Sequence, residues 1–127
     1  MVVTLRPKNS LKVPVDAECL TPDVFAGKSS REIAALKLWE GNRERALGDL
    51  FEVEGESGST PKEVSIQVFL DVHNIRRIGA HMSAGEIVVH GDVGMHLGEE
   101  MTGGRITVSG SADSWAGSMM KKGTIEI

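Results

Sequence analysis

Aliphatic residues alternate with polar residues in several short stretches of the chain, which is the pattern of half-buried β-strands. Residues 2–5 form a short, mostly aliphatic stretch, and residues 50–54 and 65–70 alternate; the second stretch places Glu52 and Glu54 on one solvent-facing side. Each stretch is too short for an amphipathic helix of ordinary length. The pattern therefore predicts a strand at each of the three places.

Two helix starts lie between the first and second of these stretches. Pro22 follows Thr21, a position suited to the first turn of a helix because the missing N–H would have no partner there. Ser29 and Glu32 stand three residues apart just before Ile33, which is the spacing of a capping box. The first half is therefore predicted to contain short helices as well as strands.

The second half repeats itself three times with a step of nineteen residues. Ten of the fifteen glycines follow residue 78, and methionine and aliphatic positions recur with them. The recurring columns are Gly79, Gly98 and Gly117; Met82, Met101 and Met120; Gly85, Gly104 and Gly123; Ile87, Ile106 and Ile125; and Val89, Val108 and Ile127. Such a repeat indicates stacked units, each of which buries its apolar face against its neighbours.

The repeat predicts a mainly β fold, namely a right-handed parallel β-helix. We expect a single-stranded solenoid of about 19 residues per coil, preceded by a mixed α/β N-terminal cap. The cap is predicted at residues 1–62, where a polar loop closes the first half, and the coils at residues 63–127. The three repeats are predicted near residues 68–90, 91–109 and 110–127.

A stack of coils leads to further expectations about single residues. Equivalent residues should lie above one another, roughly 4.8 Å apart. The outward residues Glu86 and Arg105 should form a favourable cross-strand pair. The first unit is two residues longer than the others, which predicts a bulge at residues 73–77. Left-handed backbone is expected at several of the corner glycines Gly85, Gly104 and Gly123.

Candidate chemistry is sparse. The four histidines share no column of the repeat, so no ladder of metal ligands is predicted: His73, His81, His90 and His96. Gly103 and Gly104 lack the neighbours of a phosphate-binding loop and are predicted to be corner residues. Cys19 is the only cysteine, which excludes an internal disulfide, and no base is placed beside it by sequence. No catalytic, cofactor-binding or metal residue is therefore predicted.

Composition and charge disfavour some classes of partner and indicate where in the cell the chain is expected. The net charge of −4 and the absence of a basic run argue against nucleic acid. We find neither a signal peptide nor a membrane-spanning segment, and one cysteine is typical of a reducing compartment. The chain is therefore expected in the cytoplasm, without membrane insertion.

A stack of three units has two ends that need cover. The first half is expected to cover one end, whereas the other stops in mid-pattern at Ile127. We expect either a longer natural chain or another chain stacked on this end, including self-association. Arg76, Arg77, Trp115 and Ile127 are the candidate residues for a partner interface.

The repeat Gly-x-x-Met-x-x-Gly-x-Ile-x-Val-x-Gly resembles the glycine-motif β-helix domain shared by glutamate synthase large subunits and the C subunit of formylmethanofuran dehydrogenase. The latter is favoured by Thr-Pro-Asp-Val-Phe-Ala-Gly-Lys at residues 21–28 and Met-Ser-Ala-Gly-Glu-Ile-Val-Val at residues 82–89. Arg-Ile-Gly at residues 77–79 and Asp-Ser-Trp-Ala-Gly at residues 113–117 also resemble it. The resemblance extends over residues 20–127.

The resemblance implies a non-catalytic structural subunit of an oxidoreductase complex of methanogenic archaea. That complex reduces carbon dioxide and formylates methanofuran at the entry to methanogenesis. Its molybdenum or tungsten pterin and its iron-sulfur clusters would lie in partner subunits, and this chain would hold no cofactor. The implied partners include a pterin subunit and a metallohydrolase-like subunit. Members of the family usually continue with further coils.

Other functions remain open at this point. A glutamate-synthase-like domain is one alternative, and the C subunit of a formyltransferase/hydrolase complex is another. A solenoid acyltransferase is rejected, because such left-handed helices repeat every six residues and this chain repeats every nineteen.

Overall fold

The computed structural model describes residues 2–8, 15–55, 58–69, 75–94, 96–110, 117, 120 and 122–127. Within this part of the chain the strands are β1 (Val2–Pro7), β2 (Val15–Asp16), β3 (Lys37–Glu40), β4 (Arg43–Ala46), β5 (Phe51–Gly55), β6 (Ser65–Phe69), β7 (Ile75–Arg76), β8 (Glu86–His90), β9 (Arg105–Val108) and β10 (Thr124–Glu126). The helices are α1 (Pro22–Phe25), α2 (Ser30–Ala34) and α3 (Leu47–Leu50), and a 3₁₀ turn covers Pro61–Glu63.

The strands form two mixed sheets. The six-stranded sheet has the order β10-β9-β8-β6-β1-β5, and the four-stranded sheet has the order β4-β3-β2-β7. In the first sheet β1 is parallel to β6 and antiparallel to β5, and β6, β8, β9 and β10 are parallel. In the second sheet only the β2–β7 pair is parallel.

The fold class predicted from the repeat is wrong. The chain is a mixed α/β protein with two mixed sheets, not a right-handed parallel β-helix. Strands of the first half enter the same sheets as the repeat strands, and three of the pairs are antiparallel: β1–β5, β2–β3 and β3–β4. The physical reason is that a repeat specifies which side chains stack, whereas it does not specify which backbone groups the preceding strands pair with.

The stacking of equivalent side chains inside the first sheet is confirmed. Ile66, Ile87, Ile106 and Ile125 face one another across successive parallel strands. The last three are nineteen residues apart, whereas Ile66 precedes Ile87 by twenty-one. The longer first unit thus keeps the register. Part of the bulge predicted at residues 73–77 lies outside the described residues.

Backbone conformation at the corners also agrees with the prediction. Gly85, Gly104 and Gly123 have φ values of 89°, 85° and 108°. These values fall where an L side chain is strained, which explains the glycine column. In the methionine column Met82 and Met101 are fully buried, whereas Met120 is partly buried against the core.

The predicted pairing of Glu86 with Arg105 needs a correction. The two residues are aligned on β8 and β9 as expected. However, the Arg105 guanidinium binds the Glu126 carboxylate at 2.7 Å, and Glu86 accepts a hydrogen bond from the Ser65 hydroxyl at 3.2 Å. Glu126 lies on the neighbouring strand β10, so the long arginine side chain reaches diagonally instead of straight across.

Both predicted helix starts are confirmed. Pro22 opens α1 with Thr21 as its N-cap residue. Before α2, the Ser29 hydroxyl accepts from the backbone N–H of Glu32 at 3.2 Å, and the Glu32 carboxylate accepts from the N–H of Ser29 at 3.1 Å. These hydrogen bonds hold the pKa of Glu32 below its usual value. The capping box therefore forms as its spacing indicated.

Both halves of the chain contribute to one buried cluster. The first half contributes side chains such as Leu5, Phe25 and Phe51, and the repeat contributes Ile87 and Ile106. The division into residues 1–62 and 63–127 stays a prediction.

Candidate functional site

Two successive turns of the repeat form the most unusual backbone of the described chain. Arg77 and His81 in the first turn have φ values of 63° and 60°, and the equivalent His96 and Glu100 in the second have 62° and 56°. Residues with side chains seldom adopt this conformation, and when they do the surroundings must hold them there. Strain of this kind is frequent at binding sites.

Backbone hydrogen bonds hold the two turns against each other. The N–H of Gly98 donates to the carbonyl of Ile78 at 2.8 Å, and the N–H of His81 donates to that of Glu99 at 2.8 Å. The first turn is fixed in the same way to the preceding segment, because Gly79 donates to the carbonyl of Leu20 at 2.9 Å. The strained residues are therefore part of a regular stack of turns.

A network of ionisable side chains covers these turns, and we call it the Arg77 cluster: Asp16, Glu18, Arg77, His96 and Glu99. Nη1 of Arg77 donates to Oε1 of Glu18 at 2.7 Å, whereas its Nε lies 3.6 Å from Oδ2 of Asp16 and 3.9 Å from Oε2 of Glu99. Nδ1 of His96 lies 3.0 Å from the same oxygen of Glu99. The cluster joins the two turns to the segment that follows β2.

The pKa shifts follow from this geometry. The hydrogen bond to Glu18 and the nearby charge of Asp16 raise the pKa of Arg77 above its usual value. Burial raises the pKa of Asp16 and outweighs the opposing attraction to Arg77, which approaches it only at 3.6 Å. Glu18 is thus the closest ionic partner of Arg77, and Asp16 remains a poorly compensated carboxyl group.

An open cavity of about 400 Å³ adjoins the cluster. Its lining residues come from the segment after β2, from α1, from β3 and from the first turn: Glu18, Cys19, Thr21, Asp23, Val24, Lys37, Ala80 and His81. The Asp23 carboxylate accepts hydrogen bonds from both the backbone N–H (2.9 Å) and the hydroxyl of Ser83. These contacts tie α1 to the loop before β8.

Cys19 is not activated as a nucleophile. Burial raises the pKa of its thiol to about 11, and the charges of Asp16 and Glu18 act in the same direction. A reactive cysteine needs the opposite shift, because the thiolate is the attacking form. The neighbourhood of Cys19 therefore stabilises a protonated thiol at neutral pH.

The histidines occupy separate surroundings. His81 lies 3.1 Å from a carboxylate oxygen of Glu100, and His90 stacks on Phe69 with ring centroids 4.5 Å apart. His73 lies outside the described residues. Across the part of the chain that the structure describes, no group of three or more metal-ligating side chains converges.

Three of the four candidate interface residues lie in the described part of the chain. Arg76 ends β7, and Arg77 is engaged in the cluster. Ile127 follows β10 with 62 % of its surface exposed, and Trp115 lies outside the described residues. The interface assignment stays a prediction.

Sequence reasoning missed most of the residues that the structure brings together here. Asp16, Glu18 and Glu99 gave no signal, because they come from distant parts of the chain. Trp39 was also missed, although its alternation with buried Leu38 in β3 placed it on the outer face. That alternation was the one available signal.

Fold and site together define a repeat-containing mixed α/β protein whose charged turns are braced by ion pairs. No protein-family model matches the chain. No helix in the described part of the chain is long and apolar enough to cross a membrane.

Comparison with known proteins shows which proteins this chain is related to. The chain is 49% identical over 96 residues to the C subunit of the tungsten-containing formylmethanofuran dehydrogenase 2 of Methanothermobacter wolfeii, covering 76% of this chain and 36% of that subunit. It is 45% identical over 95 residues to the C subunit of the molybdenum-containing formylmethanofuran dehydrogenase 1 of Methanosarcina barkeri, covering 75% and 32%. The chain is thus a homologue of the C subunits of these oxidoreductase complexes, and it spans about a third of their length.

A solved structure supports the relationship. It is the crystal structure of the formyltransferase/hydrolase complex from Methylorubrum extorquens in complex with methylofuran. One of its chains matches with a TM-score of 0.84 and 37% identity, over 96% of this chain and 44% of that one. The identities of 49% and 45% confirm the resemblance to formylmethanofuran dehydrogenase C subunits, whereas the wider link to glutamate synthase stays a prediction.

Proposed function

We propose that this chain serves as a structural subunit of a formylmethanofuran dehydrogenase complex. The observation that carries the proposal is the identity of 45% and 49% to the C subunits of molybdenum- and tungsten-containing enzymes. In this role the chain supports a cytoplasmic assembly that reduces carbon dioxide and formylates methanofuran. Both molybdenum- and tungsten-containing enzymes are among these relatives.

Catalysis and redox cofactors belong, in this proposal, to partner subunits. We place the molybdenum or tungsten pterin and the iron-sulfur clusters in a pterin subunit, and the formylation step in a metallohydrolase-like subunit. Support comes from the state of the reactive groups here. Burial keeps the Cys19 thiol protonated, and Arg77 is bound by Glu18 at 2.7 Å.

The Arg77 cluster suits a supporting role. Its side chains hold together the segment after β2 and two turns of the repeat, which lie far apart in sequence. A partner that binds the adjoining turns would therefore meet a surface whose backbone is already fixed. Preorganisation of this kind lowers the entropy lost on binding.

A formyltransferase/hydrolase complex is the second candidate. It is favoured by the structural match to a chain of the Methylorubrum extorquens complex, over 96% of this chain. The two candidates differ in the chemistry of the partners, since a dehydrogenase needs a redox subunit. The metal content of the assembly therefore separates them.

The test is anoxic purification of the tagged chain from its native cells. We expect it to co-purify with a subunit that carries molybdenum or tungsten, measured by mass spectrometry of metals and peptides. The preparation should also oxidise formylmethanofuran with a viologen dye as electron acceptor. A parallel preparation from cells carrying the tag alone controls for adventitious binding.

The outcomes are distinct. Recovery of formyltransferase and hydrolase subunits without molybdenum, tungsten or dye reduction would replace the leading candidate by the second. Recovery of the chain alone would contradict both.

A further inference from the structure

The outer face of the four-stranded sheet carries a row of aligned side chains. Glu44 on β4, Trp39 on β3, Asp16 on β2 and Arg76 on β7 are register partners across the sheet. Aligned residues of neighbouring strands project from the same face. The alternate residues on these strands include Leu38, Val15 and Ile75, which are buried in the core.

Trp39 is the unusual member of this row. It is 49 % exposed, although it lies in an inner strand of the sheet with a strand on each side. The other exposed large hydrophobic residues of the described chain, Val2 and Ile127, lie near its two ends. Tryptophan exposed on a rigid sheet is a common anchor in protein interfaces, because it contributes much contact area at little entropic cost.

A carboxylate stands on each side of Trp39. Glu44 pairs with Lys37 at 3.0 Å, but the side chains are 48% and 73% exposed, so water screens the pair and an incoming cation can replace the lysine. On Asp16, Oδ1 is buried without a hydrogen-bond partner and Oδ2 lies 3.6 Å from Arg77, so this carboxyl group contributes through its charge. An aromatic ring between two carboxylates is complementary to a cation.

We propose that this face binds an arginine side chain of a partner polypeptide. The guanidinium would stack on the Trp39 ring and donate hydrogen bonds to Glu44, and the carboxyl group of Asp16 on the other side of the ring would add electrostatic attraction. Arginine fits better than lysine, since its planar group stacks on aromatic faces and is more weakly hydrated. Lys37 and Arg76 lie on the same face, and their positive charges would repel a second incoming cation, so the site would hold only one. The identification of the partner as another subunit rests on the proposed function.

The first test uses the chain alone with model peptides. The chain has two tryptophans, so its ¹⁵N spectrum has two indole signals, and Trp39→Phe assigns one of them. We expect the tripeptide acetyl-Gly-Arg-Gly-amide to move the Trp39 signal in a saturable way. The peptide with citrulline in place of arginine keeps the shape and loses the charge, and it should leave the signal in place.

Variants of the charged residues sharpen this test. Glu44→Gln should weaken binding of the arginine peptide about two- to fivefold, which is the range expected for an exposed ion pair. Glu54→Gln removes an exposed carboxylate on β5, outside the row, and serves as the matched control. No saturable shift with the arginine peptide, or an equal shift with citrulline, would overturn the proposal.

The second test uses the complex. Trp39→Ser should lower the recovery of partner subunits in the tagged purification at least several-fold, whereas Val2→Ala should not. Equal recovery with Trp39→Ser and the unaltered chain would overturn the arginine site while the subunit role stands. If the unaltered chain recovers no partner, the subunit role fails, and the peptide titration still decides the site.

Discussion

At the scale of single residues, left-handed backbone is the recurring feature of the repeat. It is found at glycines such as Gly85 and Gly117, but also at Arg77 and His96, which bear large side chains. Where two glycines share this conformation, the space around each decides how much a side chain would cost. At Gly85 an added Cβ would lie 2.4 Å from the carbonyl oxygen of Pro61, whereas at Gly117 the nearest atom among the described residues is 3.5 Å away.

This difference predicts unequal effects of the same substitution. Gly117→Ala should lower the free energy of unfolding by about 1–2 kcal/mol, because the left-handed conformation is penalised and the described neighbours leave room for the methyl group. Gly85→Ala should cost clearly more, since backbone must also move away from the new methyl group. Urea denaturation followed by circular dichroism measures both, and equal losses for the two variants would contradict the explanation.

At the scale of elements, the parallel strands pack together through a column of stacked isoleucines. Ile106 on β9 is fully buried between Ile87 and Ile125. Ile125 on β10 is only partly buried, because β10 is the edge strand among the described ones. The same residue type at the same repeat position thus has two different environments.

Truncating the column should therefore have a graded effect. Ile106→Ala should destabilise the chain by about 2–5 kcal/mol, the range for large-to-small changes in a core. Ile125→Ala should cost less than half of that, since its side chain already contacts water. Thr107→Ala, on the opposite face of β9, provides the control. If thermal unfolding gave the two isoleucine variants the same loss, the edge position of β10 would be in doubt.

The sequence predicted these elements unevenly. The Ile-x-Val spacing and the capping box at Ser29 are local patterns, so β8, β9, β10 and the start of α2 could be anticipated. The two-residue strands β2 and β7 could not, because two residues carry no periodicity. β2 pairs with both β3 and β7, and its pairing with β7 joins Val15 to Ile75, sixty residues apart.

At the scale of the whole molecule, β1 links the first half to the repeat. It lies between β5 and β6, and Leu5 is fully buried opposite Val53 and Val68. The repeat strands therefore depend on a strand that precedes them by about sixty residues in sequence. Such non-local pairing makes unfolding of the two sheets cooperative.

This arrangement predicts how a substitution in β1 affects the stability of the other strands. Leu5→Ala should lower the stability of the repeat strands and of the four-stranded sheet together, by about 2–5 kcal/mol. Tryptophan fluorescence, which includes Trp39, and hydrogen exchange of β8 and β9 amides should report the same shift. Thr4→Ala changes a side chain on the other face of β1 and should leave both the fluorescence transition and the hydrogen exchange near the values of the unaltered chain. Loss of protection in β1 alone would show that the halves unfold separately.

The sequence by itself determined which side chains stack, where glycine is needed and where two helices begin, because these depend on neighbouring residues or on a regular repeat. Only the tertiary structure decided that the strands form two mixed sheets, that Asp16, Glu18 and Glu99 surround Arg77, and that Trp39 lies between two carboxylates. Every residue except proline offers the same backbone N–H and C=O groups, so the repeat pattern alone does not decide between a wound solenoid and mixed sheets.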